Sequence, residues 1–139
     1  MVNIIRTTNK NIKDFNLKEW AVADVEHYGR EVDWKIKKYV FAAEENGEIV
    51  GTLKMKVQAG LVEIQTIIVS SGKRSKGIGK ALMKQAEEIA KKSGAHKIYL
   101  ITGKNWTARK FYESLGYKEV GELPKHYIKH DFVQFCKFL

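Results

Sequence analysis

Residues 61–82 have the sequence LVEIQTIIVSSGKRSKGIGKAL, in which a strand pattern changes to a helix pattern across a glycine-rich turn. Leu61–Val69 is rich in β-branched residues and predicts a strand. From Ile78 the apolar residues follow helical spacing, and Gly94 predicts the end of that helix. A short apolar strand follows at residues 98–102. Strand, helix and strand in this order form a crossover unit, which favours parallel pairing of the two strands.

The other elements follow from the same kinds of pattern. Asn46-Gly47 between two β-prone runs predicts a tight hairpin. With no repeat, linker or low-complexity tract, the chain is predicted to be a single domain over residues 1–139, with a mixed sheet and helices on its faces. The further strands are predicted at 2–7, 39–45, 48–57, 117–121 and 127–138, and the further helices within 11–38 and at 106–115.

The bulk composition excludes several classes of protein. The chain has 139 residues and a formal net charge of +9, and no apolar run reaches the ~18 residues of a membrane span. The lone Cys136 excludes an internal disulfide and, with no secretory signal pattern at residues 1–6, predicts a reducing, cytoplasmic location. Four scattered histidines show no metal-ligand spacing, so no metal is expected.

The turn at residues 70–80 has the properties of an anion site. A glycine-rich turn exposes the first N–H groups of the following helix, and the helix dipole adds partial positive charge there. The P-loop pattern fails because it needs Lys and Ser/Thr after its second glycine, and the dinucleotide pattern fails because position 82 is Leu rather than Gly. Glycines placed only for packing are the alternative, but the basic residues favour phosphate binding. These basic residues are Lys73, Arg74, Lys76 and Lys80.

Arg74-x-x-Gly77-x-Gly79 resembles the pyrophosphate loop of the GNAT superfamily of N-acetyltransferases. The resemblance implies acetyl-CoA as co-substrate and a mostly antiparallel sheet of six to seven strands with one splayed parallel pair. It also implies that main-chain groups at the end of the preceding strand bind the pantetheine arm, and that the turn holds the diphosphate. The cofactor-binding residues expected here are Ile67, Ile68, Val69, Arg74, Ser75, Lys76, Gly77, Ile78, Gly79 and Lys80.

A second segment, residues 105–117, is similar to the other GNAT signature, Asn-x-x-Ala-x-x-Phe/Leu-Tyr-x-x-x-Gly-Phe/Tyr. The resemblance adds Asn105 and Ala108 to the cofactor site and makes Tyr112 the proton donor to the departing thiolate. Asn105 and Tyr112 are seven residues apart, two helical turns, and are therefore predicted to point the same way. Taken alone, Phe111 and Tyr112 are more typical of core aromatics, and Phe111 is assigned to the core.

Acetyl transfer to an amine with a pKa of ~10.4 also needs a group that removes a proton. Glu63 lies six residues before Val69 on the predicted strand. The resemblance implies that a glutamate at this offset acts as general base, directly or through water. Strict alternation would put Glu63 on one face with Gln65, Ile67 and Val69. The alternative is an exposed strand carboxylate without a catalytic role.

The acceptor side is less constrained by the sequence. Residues 14–34 carry a net charge of −4, which is either a solvated helix face or an acidic lid that attracts a cationic amine. Glu26, as part of this segment, and Tyr127, near the last strand, are the candidate acceptor contacts. The acidic residues of the segment are Asp14, Glu19, Asp24, Glu26, Glu31 and Asp33.

These observations favour an acetyl-CoA-dependent N-acetyltransferase that works by direct transfer in a ternary complex. Two alternatives are a basic nucleic-acid-binding module and a CoA-binding regulatory domain without catalysis. Nucleic acid is disfavoured because the basic residues are spread along the chain, and Glu63 and Tyr112 argue against the regulatory domain. The acceptor, whether protein lysine, protein N-terminus or small amine, is left open, as is a homodimer formed through edge strands.

Overall fold

A computed structural model describes residues 1–139, which divide into two compact units. The first unit is Met1–Trp34 and the second is Lys35–Leu139. None of the helices is long and apolar enough to cross a membrane. The prediction of a single domain stays a prediction.

The first unit contains one helix, α1 (Asn9–Tyr28). The Thr8 side chain accepts from the Asn11 N–H at its start, and Gly29 ends it in the left-handed region with φ 75°. The predicted helix is therefore present but ends earlier. The predicted strand at residues 2–7 is wrong, since this segment has no regular structure and Ile4 is 92% exposed. β-propensity does not make a strand where no neighbouring strand pairs with it.

Asp24 organises the chain that follows α1. Its carboxylate is buried and accepts hydrogen bonds from the Trp34 indole N–H at 2.9 Å and the Val32 N–H at 3.3 Å. A buried carboxylate needs such donors to offset its lost hydration. Asp24 therefore serves the internal structure of this unit rather than the acidic surface expected for residues 14–34.

The second unit is a six-stranded sheet with two helices. The strand order is β1-β2-β3-β4-β6-β5, and only β3 and β4 pair in parallel. This confirms the predicted fold class. The elements are β1 (Lys37–Glu45), β2 (Glu48–Gln58), β3 (Leu61–Val69), α2 (Ile78–Lys92), β4 (Lys97–Gly103), α3 (Ala108–Ser114), β5 (Lys118–Leu123) and β6 (Phe132–Phe138).

The hydrophobic core lies between one face of the sheet and the helices α2 and α3. Leu53, Ile98 and Phe135 from the strands are fully buried there, with Met83 of α2 and Tyr112 of α3. Side chains alternate along each strand, so the residues between these core positions project from the other face. We call that other face, which points away from α2 and α3, the far face.

Two turns show how local residues set the strand ends. Asn46 and Gly47 have φ values of 53° and 80°, as the predicted hairpin requires. The last strand is shorter than predicted, because the chain turns before Phe132 at Ile128 and Lys129, whose φ values are 52° and 60°. The Asp131 carboxylate accepts from the Lys125 N–H at 2.9 Å, and this contact closes the loop before β6 begins.

Candidate active site

The two parallel strands separate from each other part-way along their length. β3 and β4 pair only from Leu61 opposite Lys97 to Glu63 opposite Tyr99. Beyond that point β3 stays paired with β2 as far as Val69, and β4 stays paired with β6. The remainder of β3 therefore has one edge without a strand partner. We call the space along this edge the gap.

Main-chain groups of β3 point into the gap. The Ser70 N–H donates to the Val50 carbonyl at 2.8 Å. Because successive residues of a strand alternate in direction, the N–H and C=O groups of Val69 and Ile67 then point away from β2. The Arg74 Nε donates to the Val69 carbonyl from that side at 3.2 Å. The N–H of Val69 and the N–H and C=O of Ile67 thus point into the gap where the sequence predicts pantetheine binding, while Arg74 already occupies the Val69 carbonyl.

The glycine-rich turn connects the end of β3 to α2. It contains a short 3₁₀ turn at Ser71–Lys73 and reaches α2 through Gly77, whose φ is 83°. No side chain caps the start of α2. The N–H groups of Ile78, Gly79 and Lys80 have no carbonyl one helical turn earlier to bind, so they are available to an anion.

The two glycines of the turn are needed for different reasons. A Cβ at Gly77 would touch nothing, but its positive φ disfavours any side chain. A Cβ at Gly79 would come within 3.2 Å of the Phe111 ring and 3.8 Å of a Val69 methyl. Gly79 therefore allows close packing of α2, α3 and the end of β3, and Phe111 has the core role predicted for it.

The basic residues of the turn are not equivalent. Lys73 forms a 2.6 Å ion pair with Glu45, and its hydrogen bond and charge lower the pKa of that carboxyl. Arg74 is engaged with the Val69 carbonyl. Lys76 and Lys80 are exposed and form no ion pair, so they supply the uncompensated positive charge at this end of the gap.

Tyr112 lies on α3, on the core side of the sheet. Only 6% of its surface is exposed, and its ring contacts those of Phe111, Tyr117 and Phe135. Burial raises the pKa of its hydroxyl to about 12. The hydroxyl therefore keeps its proton across the neutral range, where it can donate a hydrogen bond but does not act as a phenolate base.

The start of α3 differs from the predicted helix. α3 begins at Ala108, which packs against the core, and Asn105 lies in the preceding turn. The argument that Asn105 and Tyr112 share a helix face is wrong, because the helix does not extend back to Asn105. Asn105 instead lines a surface cleft together with Lys104, Trp106 and other residues at the start of α3.

A β-bulge changes the face on which Glu63 lies. Lys54 of β2 pairs with Thr66 and the next residue, Met55, pairs with Ile64, so Gln65 is an extra residue in β3. The predicted sharing of one face by Glu63, Gln65, Ile67 and Val69 is therefore wrong. Ile67 and Val69 pack against the core, whereas Glu63 projects from the far face together with Thr66 and Ile68.

Two neighbours hold the Glu63 carboxylate. The Tyr99 hydroxyl donates to Oε2 at 3.0 Å, and the Lys56 ammonium lies 3.2 Å from the same oxygen. Both residues are the direct strand partners of Glu63. Sequence reasoning missed them because pairing register is invisible in one strand alone. One signal was present in the sequence: parallel pairing of β3 with the predicted strand at 98–102 would have placed residues of that strand, including Tyr99, next to β3.

The two candidate acceptor contacts lie in different units. Tyr127 is 62% exposed, and its ring packs on Phe132 at 5.2 Å. Glu26 is exposed on α1 in the first unit. Their roles stay predictions.

A comparison with models of protein families identifies the family of this chain. A model of the Acetyltransferase (GNAT) family matches residues 9–117. The chain belongs to the GNAT family. This confirms the resemblance carried by residues 74–79 and 105–117.

Relatives and solved structures of the GNAT family extend the comparison. The chain is 37% identical over 84 residues to the aminoalkylphosphonate N-acetyltransferase of Salmonella typhimurium, a match that covers 55% of this chain and 54% of that protein. The chain spans about half the length of several curated relatives it matches.

The fold matches solved structures over nearly its whole length. An acetyltransferase from Bacillus cereus superposes with a TM-score of 0.77 at 22% identity, over 99% of this chain and 98% of that one. A Bacillus subtilis acetyltransferase in complex with CoA superposes with a TM-score of 0.68 at 22% identity, over 99% and 97%. At this level of identity the likeness establishes the fold.

Proposed function

We propose that this GNAT protein transfers the acetyl group of acetyl-CoA to a primary amine by direct attack in a ternary complex. The gap between β3 and β4 carries the proposal, because it runs from the Glu63 carboxylate to the glycine-rich turn. One end thus offers a base, and the other offers free N–H groups and positive charge. The name of the Salmonella relative, an N-acetyltransferase of aminoalkylphosphonates, supports an amine acceptor.

Acetyl-CoA fits the gap by the chemistry of its parts. Its pantetheine arm carries two amides, which can bind the free main-chain groups of Ile67 and Val69 as an added strand would. Its diphosphate can bind the N–H groups of Ile78, Gly79 and Lys80, with Lys76 adding charge. Arg74 and Ser75 complete the expected contact set, together with Asn105 and Ala108 before and at the start of α3. The main-chain groups of Ile68 point toward β2, so Ile68 can contact the cofactor only through its side chain.

Glu63 acts as the general base in this proposal. A primary amine with a pKa of ~10.4 is mostly protonated at neutral pH and cannot attack until it loses a proton. Tyr99 and Lys56 both bind Oε2 of Glu63, which leaves Oε1 to accept that proton, directly or through water. The amine nitrogen then attacks the thioester carbonyl, and the Val69 N–H stabilises the oxyanion that develops. The second proton on that nitrogen leaves to solvent as the C–S bond breaks.

Tyr112 acts as donor to the departing sulfur. When the C–S bond breaks, CoA leaves as a thiolate whose ordinary pKa is ~8.5. Since the pKa of Tyr112 is about 12, complete proton transfer would cost about 5 kcal/mol if both groups kept these values. Tyr112 therefore stabilises the thiolate chiefly by donating a hydrogen bond, and solvent supplies the proton after release.

The two proposed catalytic groups lie on opposite sides of the sheet. Glu63 projects from the far face, and Tyr112 lies on the core side. An amine that approaches the carbonyl from the far face would expel the sulfur toward the core side. The acceptor and the leaving thiolate would thus lie on opposite sides of the sheet, and direct transfer requires that both can be bound at the same time.

The test compares turnover with cofactor binding. Thiol release from acetyl-CoA is measured with a panel of primary amines, and the acetylated product is verified by mass spectrometry. We expect Glu63→Gln to reduce kcat by about 100-fold or more while calorimetric CoA affinity stays within about twofold. Glu88→Gln, an exposed carboxylate on α2, is the control. Unchanged turnover in Glu63→Gln would remove the base role, and absence of CoA binding would remove the function.

A further inference from the structure

We infer that the acceptor amine also carries an acidic group, which Lys54 and Lys38 bind on the far face beside Glu63. The inference rests on the proposed function, because it takes Glu63 as the group that receives the amine. It narrows the acceptor to a zwitterion, a primary amine joined to a carboxylate, phosphonate or phosphate. A polyamine or a lysine-rich peptide would be a poor acceptor.

The pairing register brings three lysines around Glu63. Lys56 lies directly opposite Glu63, and Lys38 of β1 lies directly opposite Lys56. Lys54, two residues from Lys56, lies opposite Thr66. Residues opposite each other, and residues two apart on one strand, project from the same face. Leu53 and Met55 alternate with Lys54 and Lys56 along β2 and are buried in the core, so the lysines project from the far face.

The positive charge in this cluster is not compensated by the protein. Lys56 is paired with Glu63 at 3.2 Å, whereas Lys38 and Lys54 form no ion pair. Lys38 lies opposite Lys56, and like charges in directly opposite positions repel, an effect that the single Glu63 carboxylate offsets only in part. The only other carboxylate that alternation places on this face is Glu44, at the hairpin end of β1. The cluster of Lys38, Lys54, Lys56 and Glu63 therefore has a net charge of +2.

Lys54 lies on the side of Glu63 where the gap opens. Its partner Thr66 is in the part of β3 that has left β4, beside the expected position of the acetyl group. From strand spacing, the Cα atoms of Glu63 and Lys54 are roughly 8–10 Å apart, so their flexible side chains can reach one small molecule. An acceptor whose amine and acidic group are separated by a few bonds can therefore place the amine at Glu63 and the acidic group at Lys54.

The positive charge of Lys38 and Lys54 favours an acidic acceptor over a cationic one. A second ammonium on the acceptor would lie against Lys54 and Lys38, and like charges at such distances repel. A neutral acceptor would leave both lysines uncompensated. An acidic acceptor pairs its amine with Glu63 and its anion with the lysines. The acidic segment at residues 14–34 suggests the opposite preference, so the two hypotheses predict opposite results.

The experiment uses acceptors built on one aminoethyl frame. These are 2-aminoethylphosphonate and β-alanine with an acidic group, ethanolamine without charge and ethylenediamine with a second amine. We expect kcat/KM for the better acidic acceptor to exceed that for ethanolamine and ethylenediamine by about tenfold or more. The phosphonate and carboxylate arms distinguish the two kinds of acid. Preference for ethylenediamine, or no preference, would overturn the inference.

Variants connect the preference to Lys54. We expect Lys54→Gln to lower the ratio of kcat/KM for the acidic acceptor over ethanolamine by about fivefold or more, through KM. Lys84→Gln, an exposed lysine on α2, is the control. An unchanged ratio in Lys54→Gln would contradict the inference. If Glu63→Gln kept full activity while Lys54→Gln still lowered the preference for the acidic acceptor, Glu63 would not be the base, but the inference of an acidic acceptor would stand.

A binding measurement covers the case in which none of these amines is acetylated. Saturation-transfer NMR on the CoA-loaded protein then compares 2-aminoethylphosphonate with ethylenediamine. Binding of the phosphonate that is lost in Lys54→Gln would support the acidic acceptor even without turnover. Absence of phosphonate binding, or binding that Lys54→Gln leaves unchanged, would overturn it.

Discussion

The Tyr99 hydroxyl donates a 3.0 Å hydrogen bond to the Glu63 carboxylate, across the last residue pair that joins β3 to β4. We expect Tyr99→Phe to lower kcat by about tenfold, because one hydrogen bond to a charged group is worth about 1.5–3 kcal/mol and only part of it bears on the transition state. Steady-state kinetics should show an unchanged KM for acetyl-CoA. Tyr39→Phe, which alters a β1 ring without affecting Glu63, is the control.

Removal of the Tyr112 hydroxyl should separate cofactor binding from turnover. We expect Tyr112→Phe to bind CoA within about twofold of the parent affinity and to lose about 10- to 100-fold in kcat, since the thiolate then leaves without a donor. Calorimetry and thiol-release kinetics measure the two quantities. Activated thioesters with lower thiol pKa should recover part of the lost rate, and equal losses for good and poor leaving groups would argue against the donor role.

The glycine-rich turn offers three glycines with different constraints. Gly77→Ala forces a side chain to a φ of 83°, which costs about 1–2 kcal/mol, and Gly79→Ala pushes against Phe111 at 3.2 Å. Both variants should weaken CoA binding by about tenfold or more, as measured by calorimetry. Gly72→Ala, in the same turn with open space around it and no positive φ, should bind CoA normally. A similar loss in all three would mean that turn flexibility matters rather than geometry.

Burial of Tyr112 also predicts how stability changes at high pH. The pKa of its hydroxyl is raised from 10.0 to about 12, so its contribution is complete below pH 10 and is lost as the pH rises toward 12. The loss amounts to about 2–3 kcal/mol in the free energy of unfolding. Urea unfolding at several alkaline pH values should show a smaller decline for Tyr112→Phe. Tyr28→Phe, an exposed ring, should follow the parent protein.

The first unit provides a prediction that is independent of catalysis. Asp24→Ala removes the carboxylate that accepts from the Trp34 indole and the Val32 N–H in two part-buried hydrogen bonds, and a hydrogen bond to a charged group is worth about 1.5–3 kcal/mol. We expect faster hydrogen exchange over residues 29–34 and a red-shifted Trp34 emission. Asp14→Ala, on the same helix with an exposed side chain, should cause neither change.

Much of the second unit could be predicted because its signals are local. The hairpin at Asn46-Gly47, the strand Leu61–Val69 and the glycine before α2 each follow from the conformations that those residues favour. The family motifs then indicated the cofactor end of the gap. The predicted strand at residues 2–7 was wrong because apolar β-branched residues form a strand only where a partner strand exists.

The catalytic face was harder to predict, since it depends on contacts between strands. The extra residue at Gln65 has no sequence signature of its own, yet it moves Glu63 to the face opposite Ile67. Tyr99, Lys56 and Lys54 became part of the site only through the register of β2, β3 and β4. The start of α3 at Ala108 also depends on packing, which overrode the helical pattern that began at Trp106.

The bulge at Gln65 makes the chemistry of this strand depend on an odd or even count of residues. A natural variant or engineered protein that kept all these residues but paired them without a bulge would follow simple alternation and carry its glutamate to the thiolate side of the sheet. A variant that lost Gln65 together with the bulge would keep its glutamate opposite Lys56 on the far face. Every motif around it would still match a sequence pattern. The number of residues between glutamate and phosphate turn, taken together with the presence or absence of the bulge, is therefore a criterion for sorting working members of such a family from inactive ones.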